Sequence, residues 1–429
     1  MLDIKLIREN PEAVKNNLRK RGDNEKLAWT DELIQLDSKW RDSKKKVEEL
    51  RHRRNLLSEK IGQIKRKKQD ASKELEETQR IPLDIKKTEE QMAKQEERIK
   101  FILMRLPNLL HDSVPIGKDD SENVEVKRWG ETREYAFTPR SHIDLMIELD
   151  LLDLDRAAKV SGARFYYMKN EAVLLELALE RFAVDYLRNK GFTIIEPPFM
   201  IKKEPYEGVT SLADFKDTLY KIEGEDLYLI ATSEHPMGAM FMNEVLPAET
   251  LPIKSAGISP CFRKEAGAHG KDTKGIFRVH QFNKIEQFIF CRPEDSWSFH
   301  EELLANAEGL YQKLGIPYRV VNICTGDIGT VAAKKYDIEA WMPVQKAFRE
   351  VVSCSNCTDY QARRLNIRYR EKTGEKSEFI HTLNSTAIAT QRTIVAIVEN
   401  CQLADGSLKI PEVLVPYMSG IAEIRGKKR

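Results

Sequence analysis

Between Cys261 and Phe288 the chain reads CFRKEAGAHGKDTKGIFRVHQFNKIEQF, which predicts a strand, a long polar loop containing glycines, and a return strand. Arg263 and Glu265 are two apart, a spacing that on a strand puts both side chains on one face. Arg278, Phe282 and Glu286 come back at even spacings and are expected on that same face. Two guanidiniums, two carboxylates and an aromatic ring would then share one patch of sheet. Such a set suits phosphate chemistry, because a guanidinium grips phosphate through a planar two-pronged fork and never loses its charge. The same residues also suit a salt-bridged surface hairpin. The sequence holds no GxxxxGK[ST] loop and no GxGxxG after a strand, so a triphosphate would have to be held by arginines instead.

Positioning these groups requires a sheet. After residue 137 the helical pattern of Glu171 to Lys190 alternates with short β-branched and aromatic runs at Phe192–Ile195, Leu227–Ala231, Phe277–Phe282, Glu286–Phe290 and Tyr318–Val321. Strands and helices mix without a βαβ rhythm, which predicts an α+β domain over residues 138–429, with a mainly antiparallel sheet flanked by helices. Residues 111–137, with Pro115, Gly117 and Gly130, read as a linker.

Residues 1–110 read differently. From Thr30 to Leu110 there is one glycine, Gly62, and two prolines, Pro82 and Pro107. Leu33, Leu36, Trp40, Val47, Leu50, Leu57, Ile61 and Ile64 recur at steps of three and four, with Ser43 and Arg54 as polar members of the register. That period predicts a helix with a coiled-coil seam. A second seam runs through Ile85, Met92, Ile99, Ile102 and Leu106. Two antiparallel helices with a turn near Gln69–Ser72 follow, and Pro82 is expected to kink or break the returning one. Arg41 to Lys73 carries 13 Lys/Arg against 5 Asp/Glu, ending in Lys65, Arg66, Lys67 and Lys68. A solvated coiled-coil face explains the charge run, and so does a rod that tracks nucleic-acid phosphates.

The whole chain of 429 residues has a net charge of only +2, so the basic stretch is local. Charged residues interrupt every apolar run near the N-terminus, and no stretch approaches the roughly 18 apolar residues of a membrane span. Six scattered cysteines predict a reduced, cytoplasmic setting rather than a disulfide scaffold. Cys354 and Cys357 form a CxxC without a second pair at comparable spacing, so a zinc site is not expected. His269 and His280 are read as structural, and Trp129 and Trp341 as packing residues.

The blocks of the chain, taken together, resemble the class II aminoacyl-tRNA synthetases, and the seryl branch in particular. Phe262-Arg263-Lys264-Glu265, the Ala266-Gly267 loop and Arg278-Val279-His280-Gln281-Phe282 are similar to motif 2. Gly191-Phe192 through Glu196-Pro197-Pro198 resembles motif 1, which in this class builds the dimer interface. Thr232-Ser233-Glu234 resembles the seryl TxE block, Glu350-Val351-Val352-Ser353 the block before motif 3, and Asn384 to Arg392 motif 3. The N-terminal hairpin matches the tRNA-binding arm, so the resemblance spans essentially the whole chain.

That resemblance implies ligation of L-serine to tRNA(Ser), possible service to tRNA(Sec), a homodimer, and ATP and Mg2+ as cofactors. Arg263 would meet the α-phosphate and the serine carboxylate, and Glu265 the adenine amino group, with Phe282 stacking on the ring. Lys264, Val279, Val351 and Val352 would line the nucleotide site, and Arg278 and Arg392 would clamp the outer phosphates. Glu350 and Ser353 would hold magnesium. Thr232, Ser233, Glu234, Glu286 and Thr386 would surround serine, and Arg51, Arg54 and Lys65 to Lys68 would contact tRNA. Ala389 and Gln391 depart from the glycine and acidic residue of the general class pattern, as seryl members do. Two alternatives share parts of this pattern. A class II relative loading a carrier protein would lack the long basic hairpin. A non-catalytic RNA-binding scaffold would be expected to have lost Arg263, Glu265, Glu350 or Arg392.

Overall fold

A computed structural model describes residues 1–212, 217–265 and 274–426. The chain forms two compact units, Met1–Leu109 and Leu110–Arg429. Ala266, Gly267 and His269 lie outside the described residues.

The first unit opens with two short helices, α1 (Ile4–Glu9) and α2 (Pro11–Lys20), capped by the side chains of Asp3 and Asn10. Two long helices follow, α3 (Glu25–Arg66) and α4 (Ser72–Leu103). At 42 residues α3 is about 60 Å long, from a rise of about 1.5 Å per residue. The seam residues face the partner helix as their spacing requires: Leu33, Val47 and Ile61 are buried, and Val47 packs with Ile81 and Ile85 of α4. A buried polar group links α1 to α3. Asp37 is buried and accepts from Arg8 at 2.9 Å and Arg41 at 3.1 Å. Pro82 does not end α4. Its ring faces solvent while its neighbours Ile81 and Ile85 pack inward, so burial on one side holds the helix through the lost backbone bond.

The second unit is α+β, built on an eight-stranded sheet. Its strands are β1 (Val124–Trp129), β2 (Thr193–Ile195), β3 (Ile253–Phe262), β4 (Gln281–Cys291), β5 (Tyr318–Asn322), β6 (Lys334–Met342), β7 (Ala347–Thr358) and β8 (His381–Ala389). Their order is β1-β5-β6-β7-β8-β4-β3-β2, antiparallel throughout except for the β2–β3 pair. Residues 111–137, read from sequence as a linker, contain the edge strand β1, which pairs with β5.

One face of the sheet is covered by the helices Glu171–Asn189, Ser296–Leu314 and Thr390–Asn400. Ile285 and Ile289 of β4, Val352 and Cys354 of β7 and Leu383 of β8 point into this core. On the opposite face, Phe288 and Phe290 join a second apolar cluster with Val209, Met237, Leu365 and Tyr369. The polar positions of that open face, between the two clusters, form the site.

Candidate active site

A cavity of about 610 Å³ opens on this uncovered face, and the strand register dictates which side chains line it. Phe282, Lys284 and Glu286 alternate inward along β4. Thr386 of β8 stands opposite Glu286, and Asn384 lies two residues away on the same face. Farther across, β7 contributes Ser353 and Ser355 and β6 contributes Lys335.

Two bulges tune this face. In β7, Val352 pairs with Ile338 and Glu350 with Glu339, which leaves Val351 as an extra residue. Glu350 and Ser353 are three apart, a spacing that puts side chains on opposite faces of a regular strand; the bulge brings both to the cavity. In β8, Ala387 is the extra residue between Thr386 and Ile388, and Thr386 and Ala389 both reach the cavity.

At one end of the cavity, the carboxyls of Glu286 and Glu234 come within electrostatic reach of each other and of Lys284. Glu286 is 2% exposed, its Oε2 lies 2.6 Å from Lys284 Nζ, and Thr386 hydrogen-bonds to the same carboxyl. Glu234 begins the helix Glu234–Gly238 and accepts from Asn384 Nδ2 at 3.0 Å. Burial, helped by the charge of Glu286, pushes the Glu234 carboxyl up to about 7, against the pull of Lys284 and Arg263. Burial also raises Glu286 above the ordinary carboxylate range. Thr232 lines the same end. Ser233 does not: its hydroxyl is fully buried and donates to the Gly257 carbonyl at 3.3 Å.

Arg263 stands beside this end, with its guanidinium 5.1 Å from the Phe282 ring centre and Nε on the Ala231 carbonyl at 3.3 Å. The strand expected over Arg263–Glu265 stops at Phe262, and the one expected from Phe277 begins at Gln281. Phe277 and Val279 are buried in the core with half-buried Arg278 between them, so the side chains alternate as expected even ahead of the strand. His280 clamps the two arms: its Nδ1 bonds the Arg263 carbonyl at 2.8 Å, and Arg263 N donates back to His280 O at 2.9 Å. Beyond the clamp, Glu265 adopts φ 48°, and its carboxylate meets Arg278 at 2.9 Å. Glu265, Arg278, Val279, Phe282 and Arg392 line a narrow slot of about 10 Å³, and Phe282 and Arg392 are shared with the large cavity. Lys264 is exposed and lies over Tyr220, and Val352 is in the core, so neither lines a cavity.

On the far side, Arg392 bonds the Glu350 backbone carbonyl at 3.0 Å and its carboxylate at 3.3 Å. Burial alone would raise the Glu350 carboxyl, but Arg392, Lys335 and Arg263 together hold it below the ordinary value. Behind it, buried Asp337 accepts a hydrogen bond from Ser353, and burial pushes its carboxyl up to about 7. Gln391 explains its own presence where an acid is the class pattern. Its amide donates to Glu176 at 2.6 Å and accepts from Asn283 N at 3.0 Å, and a second acid there would repel Glu176. Cys354 and Cys357 face opposite ways, the first towards His300 O at 3.7 Å behind the sheet and the second towards Asn384 at 3.8 Å. They share no ion.

The sequence patterns give no site role to Lys284, Lys335 or Asp337, and mark Asn384 only as the first residue of the motif 3 block. Lys284 carries a signal all the same, being two residues from Glu286 on the same strand. Asp337 carries none, because only the register of β6 on β7 places it against Ser353.

Residues 1–110 match the family model for the seryl-tRNA synthetase N-terminal domain, and residues 218–401 match the class II tRNA synthetase core domain for G, H, P, S and T. The serine–tRNA ligase of Methanocella arvoryzae is 58% identical over 422 residues, covering 98% of this chain and 99% of the relative. The Pyrococcus horikoshii seryl-tRNA synthetase, solved complexed with ATP, matches with a TM-score of 0.96 at 53% identity over all of both chains. The cytoplasmic serine–tRNA ligase of Naegleria fowleri, in complex with AMP, matches at 0.91 and 38%, covering 100% of this chain and 99% of the other. Similarity of this degree along nearly the whole length leaves one assignment: the chain belongs to the seryl-tRNA synthetases, within the class II aminoacyl-tRNA synthetases.

Proposed function

We propose that this protein activates L-serine with ATP and transfers it to the 3′ end of tRNA(Ser), as a serine–tRNA ligase. The observation that carries the reading is a single cavity that sets two carboxylates and a threonine hydroxyl beside two arginines. Glu234 and Glu286 receive the serine ammonium, Thr386 meets its hydroxyl, and Arg263 takes its carboxylate. A carboxylate oxygen of serine attacks the α-phosphorus of ATP, the bond to the bridging oxygen breaks, and pyrophosphate leaves with the electron pair. A ribose hydroxyl of the tRNA end then attacks the acyl carbon and releases AMP. No strong base is needed for the first step, so the protein's contribution is alignment and neutralisation of phosphate charge. Glu265 and Phe282 face the adenine in this reading, and Arg278 and Arg392 the outer phosphates.

The donor set fits magnesium. The Glu350 carboxylate is kept ionised by its neighbours, and the Ser353 hydroxyl donates to Asp337, which leaves its lone pairs free. Among the described residues no cluster of three or more His, Cys, Asp and Glu could hold a metal ion alone. Bound there with ATP, the ion would neutralise phosphate charge.

A homodimer is supported by exposed apolar side chains on the helix Glu171–Asn189, namely Val173, Leu174 and Leu177, and by the edge strand β2. The basic tip of the hairpin supports binding of tRNA(Ser) through its backbone, and of tRNA(Sec) where the cell makes one. All six cysteines are free thiols, which suits the cytoplasm.

The test is amino-acid-dependent ATP–pyrophosphate exchange with serine, threonine, alanine and glycine run separately. Exchange with serine alone is expected, and R263A should lower it by about 10³-fold or more. Exchange with another amino acid instead would overturn the substrate.

A further inference from the structure

Lys284 is 6% exposed, and nothing in the phosphate chemistry requires it. It lines the cavity, with its ammonium 2.6 Å from Glu286 Oε2 and within electrostatic reach of Glu234. Two carboxylates converge there, whereas the incoming amino acid brings one ammonium. With serine bound, the Lys284 ammonium is the second positive charge that balances the pair. Arg263 is matched separately by the serine carboxylate.

We propose that Lys284 is a positioning residue for amino-acid recognition: pinned on one oxygen of Glu286, it holds that side chain as an oriented anion and presents it to Thr386 and the substrate. This rests on the serine-pocket reading above. Deprived of the lysine, Glu286 and Glu234 would share a buried space with too little positive charge. One of them would take up a proton, and a protonated carboxyl is a poor acceptor for an ammonium. A carboxyl released from the lysine would also regain rotamers, and the direction of its hydrogen bond to the substrate ammonium would be lost.

The other groups facing this ammonium do not take over its role. Glu286 comes from its own strand, Glu234 and His235 from the helix above, and Arg263 and Cys261 from the end of β3. Burial holds the His235 imidazole well below its ordinary range and raises the Cys261 thiol, so neither carries charge near neutral pH.

The test compares K284Q with E286Q by serine-dependent pyrophosphate exchange. K284Q should raise the KM for serine about 10-fold or more, keep the KM for ATP within about twofold, and move the acid limb of the serine profile to higher pH. A role confined to stability would lower Tm without moving that limb, and this result overturns the proposal. An unchanged serine KM in K284Q while E286Q raises it overturns the role of Lys284 alone. An unchanged serine KM in E286Q overturns the pocket reading, and the proposal with it. Should K284Q fail to fold, the double variant K284M/E286Q removes both buried charges. It should match E286Q in serine KM within about threefold, because a residue acting through Glu286 has nothing further to lose. A further multiplicative loss overturns the proposal.

Discussion

Glu350 and Ser353 stand three residues apart on β7 and yet face the same cavity, because Val351 is bulged between them. The carboxylate is pinned by Arg392 at 3.3 Å and the hydroxyl is turned by Asp337. If these two oxygens hold the ion that accompanies ATP, E350Q should raise the magnesium concentration for half-maximal exchange about 10-fold or more. Serine KM at saturating magnesium should move little. A magnesium titration of the two proteins checks this, and an unshifted midpoint counts against the assignment.

Glu234 carries the clearest pH signature. Its carboxyl is held at about 7 by burial and by Glu286. A substrate ammonium needs the ionised form, so serine affinity should be level above pH 7 and fall about 10-fold per unit below it. The stability effect has the opposite sense. A carboxyl whose folded value exceeds its unfolded value of about 4.5 binds protons more tightly when folded. It therefore costs stability as pH rises from about 4.5 through 7. E234Q should have a higher Tm than the parent at pH 8 and no advantage near pH 4, while losing serine-dependent exchange.

Pro82 sits in the interior of α4 with its ring in solvent. Alanine there restores an N–H that can donate to the Thr78 carbonyl and removes a steric clash. P82A should stabilise the returning helix by about 1–3 kcal/mol. Slower amide hydrogen exchange across residues 74–90 of the full chain would show it.

Lys65 and Arg66 end α3, and Lys67 and Lys68 turn away from it, Lys68 at φ 55°; all four side chains are exposed. Arg51 is already paired with Glu89 at 2.8 Å, so the tip carries more uncommitted charge than the shaft. Replacing the four tip residues with alanine should weaken tRNA binding. The slope of log K against log salt should flatten by about 0.7–0.9 for each phosphate that is no longer neutralised. Filter binding at several salt concentrations gives the slope directly, and an unchanged slope removes the tip from the tRNA-binding surface.

The helical hairpin was legible because its seam repeats many times over, from Leu33 to Ile64 and from Ile85 to Leu106. The antiparallel α+β domain was legible from the alternation of short strand and helix patterns. The site residues were legible as motifs, but strand alternation accounts for their convergence only in part. Phe282 and Glu286 do share a strand face, whereas Arg263, Glu265 and Arg278 lie beyond the strand ends, where the His280 clamp joins the two arms. Pro82 runs against its local propensity because the packing of Ile81 and Ile85 outweighs it. Bulges leave no mark in a single sequence, so the facing of Glu350 and Thr386 emerges only from the register.

The two bulges also restrict how this gene can change length. Side chains on a strand alternate with a period of two, so removing one codon between a bulge and the next turn would exchange the faces of everything beyond it. Deleting Val351 itself is the exception: Glu350 and Ser353 would then stand two apart on a regular strand and keep the same face. Deleting Ala387 would likewise leave Thr386 and Ala389 two apart on one face. Single-codon insertions and deletions on β7 and β8 should be inactivating unless they remove the bulge residue itself. In a library scanned codon by codon, Val351 and Ala387 should stand out as the positions on these two strands where length can change.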